Sequence, residues 1–243
     1  MKKTRLADLY LLGIGIKGMS QISMETQEIL KRCRLVFHLS YSHDELRALN
    51  SNLVDLADEY WTEESHDLVY DRLVARIMKE VARGPGVASV TYGHPLFFDD
   101  VHMELTRICR RKKLNCVVLP AISSLDTLSV DLGVDYGEGL QVFEAVDLVE
   151  GKLKINPQLH TLVFQIGEYG MQTTSYIPSE EPKRFIKIQK YLMRYFPADH
   201  PIVVAMSDNG DGRTLLKSRL GRLNSHRRRI GLGSTLYLAP LPR

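Results

Sequence analysis

Apolar runs of four to eight residues, the first at Leu9–Ile14, alternate along the chain with longer stretches whose apolar residues keep helical spacing. Runs that short are strands buried on both faces, and the helices between them must cross over the sheet. The pattern therefore dictates α/β architecture with mainly parallel pairing in the first half. The strands expected there are Leu9–Ile14, Leu35–Leu39, a weak Leu53–Leu56, Val87–Tyr92 and Cys116–Leu119. Between them Met24–Cys33 follows the candidate cap Ser23, and Leu68–Val81 carries Leu68, Leu73, Ile77 and Val81 at near-helical intervals. A further helix, His102–Arg110, runs into the basic cluster Arg110–Lys113, which suits the negative end of a helix dipole. No run approaches the roughly 20 residues of a membrane span. Lys2, Lys3 and Arg5 do not make a secretory n-region, because Asp8 intervenes and no small-residue cleavage site follows.

Pro120 closes the fifth strand, and Ser123 with Asp126 three residues later has capping-box spacing. A boundary is expected there, giving an N-terminal α/β domain over 1–120 and a C-terminal α/β domain over 121–243. The second half reads as strands Leu140–Glu144, Thr161–Ile166, Ile202–Met206, Thr214–Ser218 and Thr235–Leu238, with a helix over Pro182–Tyr195. Nothing of low complexity separates the halves, which are expected to pack closely around a cleft. With 44% hydrophobic and 25% charged residues among 243, the chain can fill such cores, and a disordered protein is excluded. Cys33, Cys109 and Cys116 are odd in number and lack metal-ligand spacing, as reduced thiols of a cytoplasmic protein do. Seven basic residues from Arg213 to Arg229 against Asp211 give +6 over positions 210–229, while the whole chain is only +3. The remainder is acidic, so the stripe reads as a solvated surface segment and nucleic acid is not the expected partner.

Gly13-Ile14-Gly15-Ile16-Lys17-Gly18 satisfies G-x-G-x-x-G after a strand, the pattern of a dinucleotide-binding turn. Two further requirements are missing. The acid that would hold the ribose is replaced by Phe37-His38-Leu39-Ser40, and the helix is expected only after Ser23, not at the third glycine. More informative is Tyr92-Gly93-His94-Pro95-Leu96-Phe97-Phe98, which leaves a buried strand at its carboxyl end, where α/β sheets bind ligands. Its aromatic rings suit a flat or sulfonium-bearing ligand. Leu119-Pro120-Ala121-Ile122-Ser123-Ser124 adds backbone donors and two hydroxyls at a helix start.

These segments, in order with Leu12-Gly13-Ile14-Gly15 before them and Gly233-Ser234-Thr235 in a terminal strand, resemble the tetrapyrrole methylase superfamily over nearly the whole chain. Within it, Tyr92–Pro95, Asp131-Leu132-Gly133-Val134-Asp135, Phe143-Glu144-Ala145 and Phe164-Gln165-Ile166-Gly167 are most similar to the borosin peptide backbone α-N-methyltransferases. The resemblance implies two α/β domains of the tetrapyrrole methylase fold, S-adenosylmethionine in the interdomain cleft with S-adenosylhomocysteine as product, and a homodimer. It assigns the cofactor to Tyr92, His94, Leu96, Phe97, Phe98, Ser123, Ser124, Gln165, Ala205, Met206, Ser207, Ser234 and Thr235. Leu96 and Ala121 stand where the family usually has glycines.

Methylating an amide nitrogen requires loss of its proton and stabilisation of the imidate oxygen, because the lone pair is delocalised into the carbonyl. Tyr60 and Tyr70 match the two tyrosines that borosin enzymes place near the peptide, and His66 stands where the family has an arginine. An ordinary imidazole loses its charge near about pH 6.5, where a guanidinium keeps it; Arg72 is a conceivable substitute. With no core peptide before Arg243, the expected substrate is a separate precursor peptide, as in a split borosin enzyme. A tetrapyrrole or other small-molecule methylase, a ribosomal-RNA methylase of the same superfamily and a non-catalytic cofactor-binding protein are the alternatives.

Overall fold

The strand Leu9–Gly13 (β1) is buried at every position and sends alternate side chains to opposite faces, so helices must cover it on both sides. The computed structural model, which describes residues 5–175, 181–207 and 212–242, provides them. Lys2, Lys3 and Asp211 lie outside the described residues. Two compact units divide the chain, Met1–Thr127 and Leu128–Arg243.

In the first unit, β1 is joined by Leu35–Leu39 (β2), Leu53–Asp55 (β3), Val87–Thr91 (β4) and Cys116–Leu119 (β5) in a parallel sheet of order β3-β2-β4-β1-β5. Helices Met24–Leu30 (α1) and His43–Leu49 (α2) cover one face, where Leu30 and Leu46 pack with Tyr10, Leu12, Val36 and Val90. Ala57–Tyr60 (α3), His66–Val81 (α4) and Asp100–Lys112 (α5) lie toward the other, where Val69, Leu73, Ile77 and Leu105 pack with Leu9, Leu11, Phe37 and Val87. Each such fully buried Leu or Val contributes roughly 1.5–3 kcal/mol. The expected cap at Ser23 is present, its Oγ accepting from Thr26 N. Asp99, not anticipated as a cap, accepts from His102 N, and α5 ends on left-handed Lys113 after three basic residues. β1 leads into α1 on one face, while its neighbour β4 leads into α5 on the other. The carboxyl ends of β1 and β4 are thus the topological switch point of the sheet.

The second unit holds Leu140–Glu144 (β6), His160–Phe164 (β7), Pro201–Met206 (β8), Thr214–Arg219 (β9) and Thr235–Leu238 (β10) in the order β6-β7-β10-β8-β9. Only β6 and β7 are parallel; the other pairs are antiparallel. Helix Ser124–Leu132 (α6) straddles the division between the units, whereas Pro120 stands at the end of β5. Ala145–Glu150 (α7) and Ile186–Leu192 (α8) pack Leu148, Ile188 and Leu192 against Val163, Val204 and Leu236. The helix expected over Pro182–Tyr195 is thus shorter at both ends, its flanks being turns closed by Arg184 N to Glu181 O and Tyr195 N to Leu192 O. The basic segment forms a 3₁₀ helix, Leu220–Arg229, whose three-residue turn aligns the fully buried Leu220 and Leu223. Its Arg222, Arg228 and Arg229, with Arg213, Lys217 and Arg219 before it, are exposed.

Candidate functional site

At the switch point three loops are bolted together through one glycine. A Cβ on Gly13 would stand 2.2 Å from Gly93 O, 2.7 Å from Ala121 Cβ and 2.9 Å from Pro95 Cδ, so only glycine lets the loops after β1, β4 and β5 meet there. Gly93 N donates to Gly15 O at 3.0 Å and Gly15 N to Gly93 O at 3.3 Å, which locks the first two loops. The amides a dinucleotide would need are engaged. Ile16 N and Lys17 N donate to Gln21 Oε1 at 2.7 and 2.9 Å, and a 3₁₀ turn, Gly18–Gln21, follows where a pyrophosphate-binding helix would begin. The G-x-G-x-x-G match is thus a packing device closed by a glutamine, which the sequence alone does not reveal.

The loop Tyr92–Phe98 is held from inside. Leu96 N donates to His94 Nδ1 at 3.1 Å, and buried His102 Nδ1 donates to Pro95 O at 3.2 Å while Ser89 Oγ lies 2.8 Å from Nε2. This support sets Phe98 at φ 53, in the left-handed region that non-glycine residues seldom adopt, with its ring 4.7 Å edge-on to Phe97. Tyr92 meets Tyr41 edge-on at 6.1 Å, and burial pushes its phenol up to about 12, so it stays protonated. Leu96 and Phe97 are half-buried. In the third loop the capping box forms: Ser123 N and Oγ donate to Asp126 Oδ2 at 2.7 and 2.6 Å, with Ser124 as the first helical residue. Burial pushes the Asp126 carboxyl up, but the hydrogen bonds from Ser123 outweigh it and hold the group below its ordinary range, ionised.

Beside these loops, on the α4–α5 face, lies a cavity of about 130 Å³ bounded by Leu39, Leu56, Tyr60, Tyr70, Phe98 and His102 among others. Both candidate tyrosines thus share it with the strained Phe98. Tyr60 and Tyr70 stack at 6.1 Å, and His66, one turn before Tyr70 on α4, stacks on it at 5.8 Å with rings 7° from parallel. Arg72 turns elsewhere. Its guanidinium donates to Glu64 Oε2 at 2.6 Å and to Glu59 O at 2.9 Å, so it braces the 59–64 segment and is no substitute for the arginine. His102 and Asp99 of the cavity wall were not anticipated. The Asp99-Asp100 pair before an amphipathic run is a legible cap, but nothing in the sequence aims His102 inward.

In the second unit the remaining candidates share one end of the sheet. Thr235 pairs with Ala205 in the antiparallel β8–β10 ladder, Met206 ends β8 and Ser207 follows it, and Gln165 follows β7 at φ 54. Ser207, Ser234 and Thr235 are buried. A Cβ on Gly167 would sit within 1.8 Å of Gly231 O, so the turns after β7 and before β10 also meet through a glycine. Buried Arg184 fixes that turn by donating to Gly167 O and, at 3.1 Å, to Tyr169 O.

Comparison with known proteins follows the same lines. The family described as Tetrapyrrole (Corrin/Porphyrin) Methylases matches residues 8–210. The methyltransferase/ribosomally synthesized cyclic peptide dendrothelin A precursor of Dendrothele bispora is 27% identical over 99% of this chain and 60% of its own length. The corresponding omphalotin A precursor of Omphalotus olearius is 25% identical over the same shares. The chain thus spans about 60% of the length of these curated relatives. Among solved structures, uroporphyrin-III-C-methyltransferase from Thermus thermophilus superposes with a TM-score of 0.67 at 18% identity, covering 95% of this chain and 91% of that one. A cobalt precorrin-4 methyltransferase gives 0.65 at 13%, covering 95% and 94%. The fold expected from the sequence is therefore the fold observed. Among the described residues no helix is long and apolar enough to cross a membrane.

Proposed function

The chain belongs to the tetrapyrrole (corrin/porphyrin) methylase family, and from that premise we propose that it is an S-adenosylmethionine-dependent methyltransferase that α-N-methylates backbone amides of a separate precursor peptide. The observation that carries the reading is the cavity in which Tyr60, Tyr70 and Phe98 meet at the carboxyl end of the parallel sheet. The printed names of the relatives, which join a methyltransferase to a peptide precursor, support the substrate class. On the same reading the enzyme works as a cytoplasmic homodimer.

The donor set suits the cofactor. Aromatic rings of Tyr92, Phe97 and Phe98 favour a sulfonium, and ionised Asp126 beside Ser123 favours an ammonium, while the glutamine-closed glycine loop disfavours a pyrophosphate. S-adenosylmethionine, when bound, supplies an electrophilic methyl group. The chain's own residues do the rest. Tyr70 takes the amide proton as its phenolate, becoming the phenol, or as the phenol orients the forming imidate; Tyr60 positions the peptide beside it, and His66 holds the Tyr70 ring by stacking in place of the family arginine. Ser124, Gln165, Ala205–Ser207, Ser234 and Thr235 are assigned to the cofactor by the family pattern.

Calorimetry on the full chain tests the cofactor assignment. S-adenosylmethionine and S-adenosylhomocysteine should each bind with a Kd of about 10 μM or below. Heat with NAD instead, and none with either adenosyl ligand, would overturn it.

A further inference from the structure

Across the sheet from the tyrosine cavity, a second cluster of side chains is arranged for different chemistry. β2 and β3 pair so that His38 stands opposite Asp55, and the chain returns from β2 through Ser40 to place His43 at the start of α2. His38 is fully buried, and its Nε2 lies 2.9 Å from His43 Nδ1. Asp55 Oδ2 lies 3.8 Å from the first of these atoms and 3.7 Å from the second. Those distances are too long for hydrogen bonds. The carboxylate is fixed by its other oxygen, because Oδ1 accepts from Ala57 N at 2.8 Å, and Oδ2 is thereby aimed at the two imidazoles. On the far side of His38, Nδ1 lies 3.3 Å from Ser40 Oγ; when Nδ1 carries the proton and donates to that hydroxyl, Nε2 is left as an acceptor.

We propose that His38 Nε2, His43 Nδ1 and Asp55 Oδ2 form a binding site for a divalent cation of the zinc class. In a tetrahedral site with bonds of about 2.0–2.2 Å, donor atoms stand about 3.3–3.6 Å apart. Separations of 2.9, 3.7 and 3.8 Å reach that arrangement by sub-ångström adjustments of side chains. Two imidazole nitrogens and one carboxylate oxygen suit zinc or its borderline neighbours, whereas calcium and magnesium take more, and all-oxygen, ligands. His43 and Asp55 side chains are 35% and 42% exposed, so the fourth position opens to water. The cation would tie the edge strand β3 and the start of α2 to the buried β2. Leu39 and Leu56, the residues directly after His38 and Asp55, face the opposite side and line the tyrosine cavity. Occupancy would therefore stiffen two walls of that cavity. The binding proposal itself does not rest on the methyltransferase reading.

Zn²⁺ is titrated into the full, untagged, metal-free chain in competition with a chromogenic chelator, and Co²⁺ binding is followed by its visible absorption. One equivalent of Zn²⁺ should bind with a Kd of about 1 μM or below, and Co²⁺ should give the intense bands of a tetrahedral site. His43→Ala and Asp55→Asn, both at partly exposed positions, should retain the wild-type circular dichroism, lower Zn²⁺ affinity more than about 10-fold and lose the Co²⁺ bands. No stoichiometric Zn²⁺ binding by the wild type, or the same affinity and spectrum in both folded variants, would overturn the proposal.

Discussion

In the proposed mechanism Tyr70 is the residue on which the chemistry turns, and in the structure it touches both Tyr60 and His66 and lines the cavity. Removing its hydroxyl deletes a group used only in the transition state, so Tyr70→Phe should lower kcat by about 10²–10⁴-fold. S-adenosylmethionine binding should stay within a few-fold of wild type, and Tyr60→Phe should cost less; single-turnover mass spectrometry of the peptide separates these effects, and an unchanged rate in Tyr70→Phe would move the proton acceptor elsewhere. That His66 belongs with Tyr70 was legible only from the resemblance, since the helix was expected from Leu68 and in fact begins at His66. Gln21 was not, since a side chain that folds back onto the glycine loop leaves no periodic trace. Burial holds His200 below its ordinary value, with the ring 3.0 Å from Ala239 O. As pH falls below about 6.5 the unfolded chain takes up this proton first. The contribution is therefore full above about 6.5 and is lost as pH falls from there through the depressed folded value. Denaturant titrations at pH 7.5 and 5.5 should show wild type losing more stability than His200→Gln; equal losses would contradict the assignment.

Among the elements, the strands were readable and some of the short helices were not. β2, β5, β6 and β10 have the bounds expected of them; β10 is buried throughout, whereas β6 is a half-buried edge strand that keeps Gln141 and Glu144. α2 and α3 span seven and four residues and begin without a side-chain cap hydrogen bond, so neither periodicity nor capping announces them. The mixed pairing of the second sheet was equally invisible, since parallel and antiparallel neighbours demand the same side chains of a buried strand. The loops after β1, β4 and β5 act as one element joined at Gly13, and the strongest prediction at this scale lies there. Gly13→Ala drives a methyl group into the Gly93 carbonyl, Ala121 and Pro95, so it should destabilise the first unit by about 1–3 kcal/mol or more. Urea unfolding measures this, and S-adenosylmethionine affinity should fall with it. A variant as stable as wild type would mean that the three loops have room to separate.

For the whole molecule, each unit encloses its own hydrophobic core, and the family pattern runs through both, from residue 8 to residue 210. Fold and family were legible because the motifs keep their order along the chain, although each is weak alone. The proposed substrate was less legible, because it depends on a few side chains at and beside one cavity, and His66, which stacks on Tyr70 of its wall, departs from the family. The central claim is methyl transfer to backbone nitrogen. The full chain is incubated with methyl-deuterated S-adenosylmethionine and a candidate precursor peptide supplied in trans, and the product is fragmented by tandem mass spectrometry. Deuterated methyl groups are expected on backbone amide nitrogens, visible as mass shifts confined to successive peptide-bond fragments and absent with Tyr70→Phe. Methyl groups found only on side chains or termini, or an unlabelled peptide in the presence of bound cofactor, would contradict it.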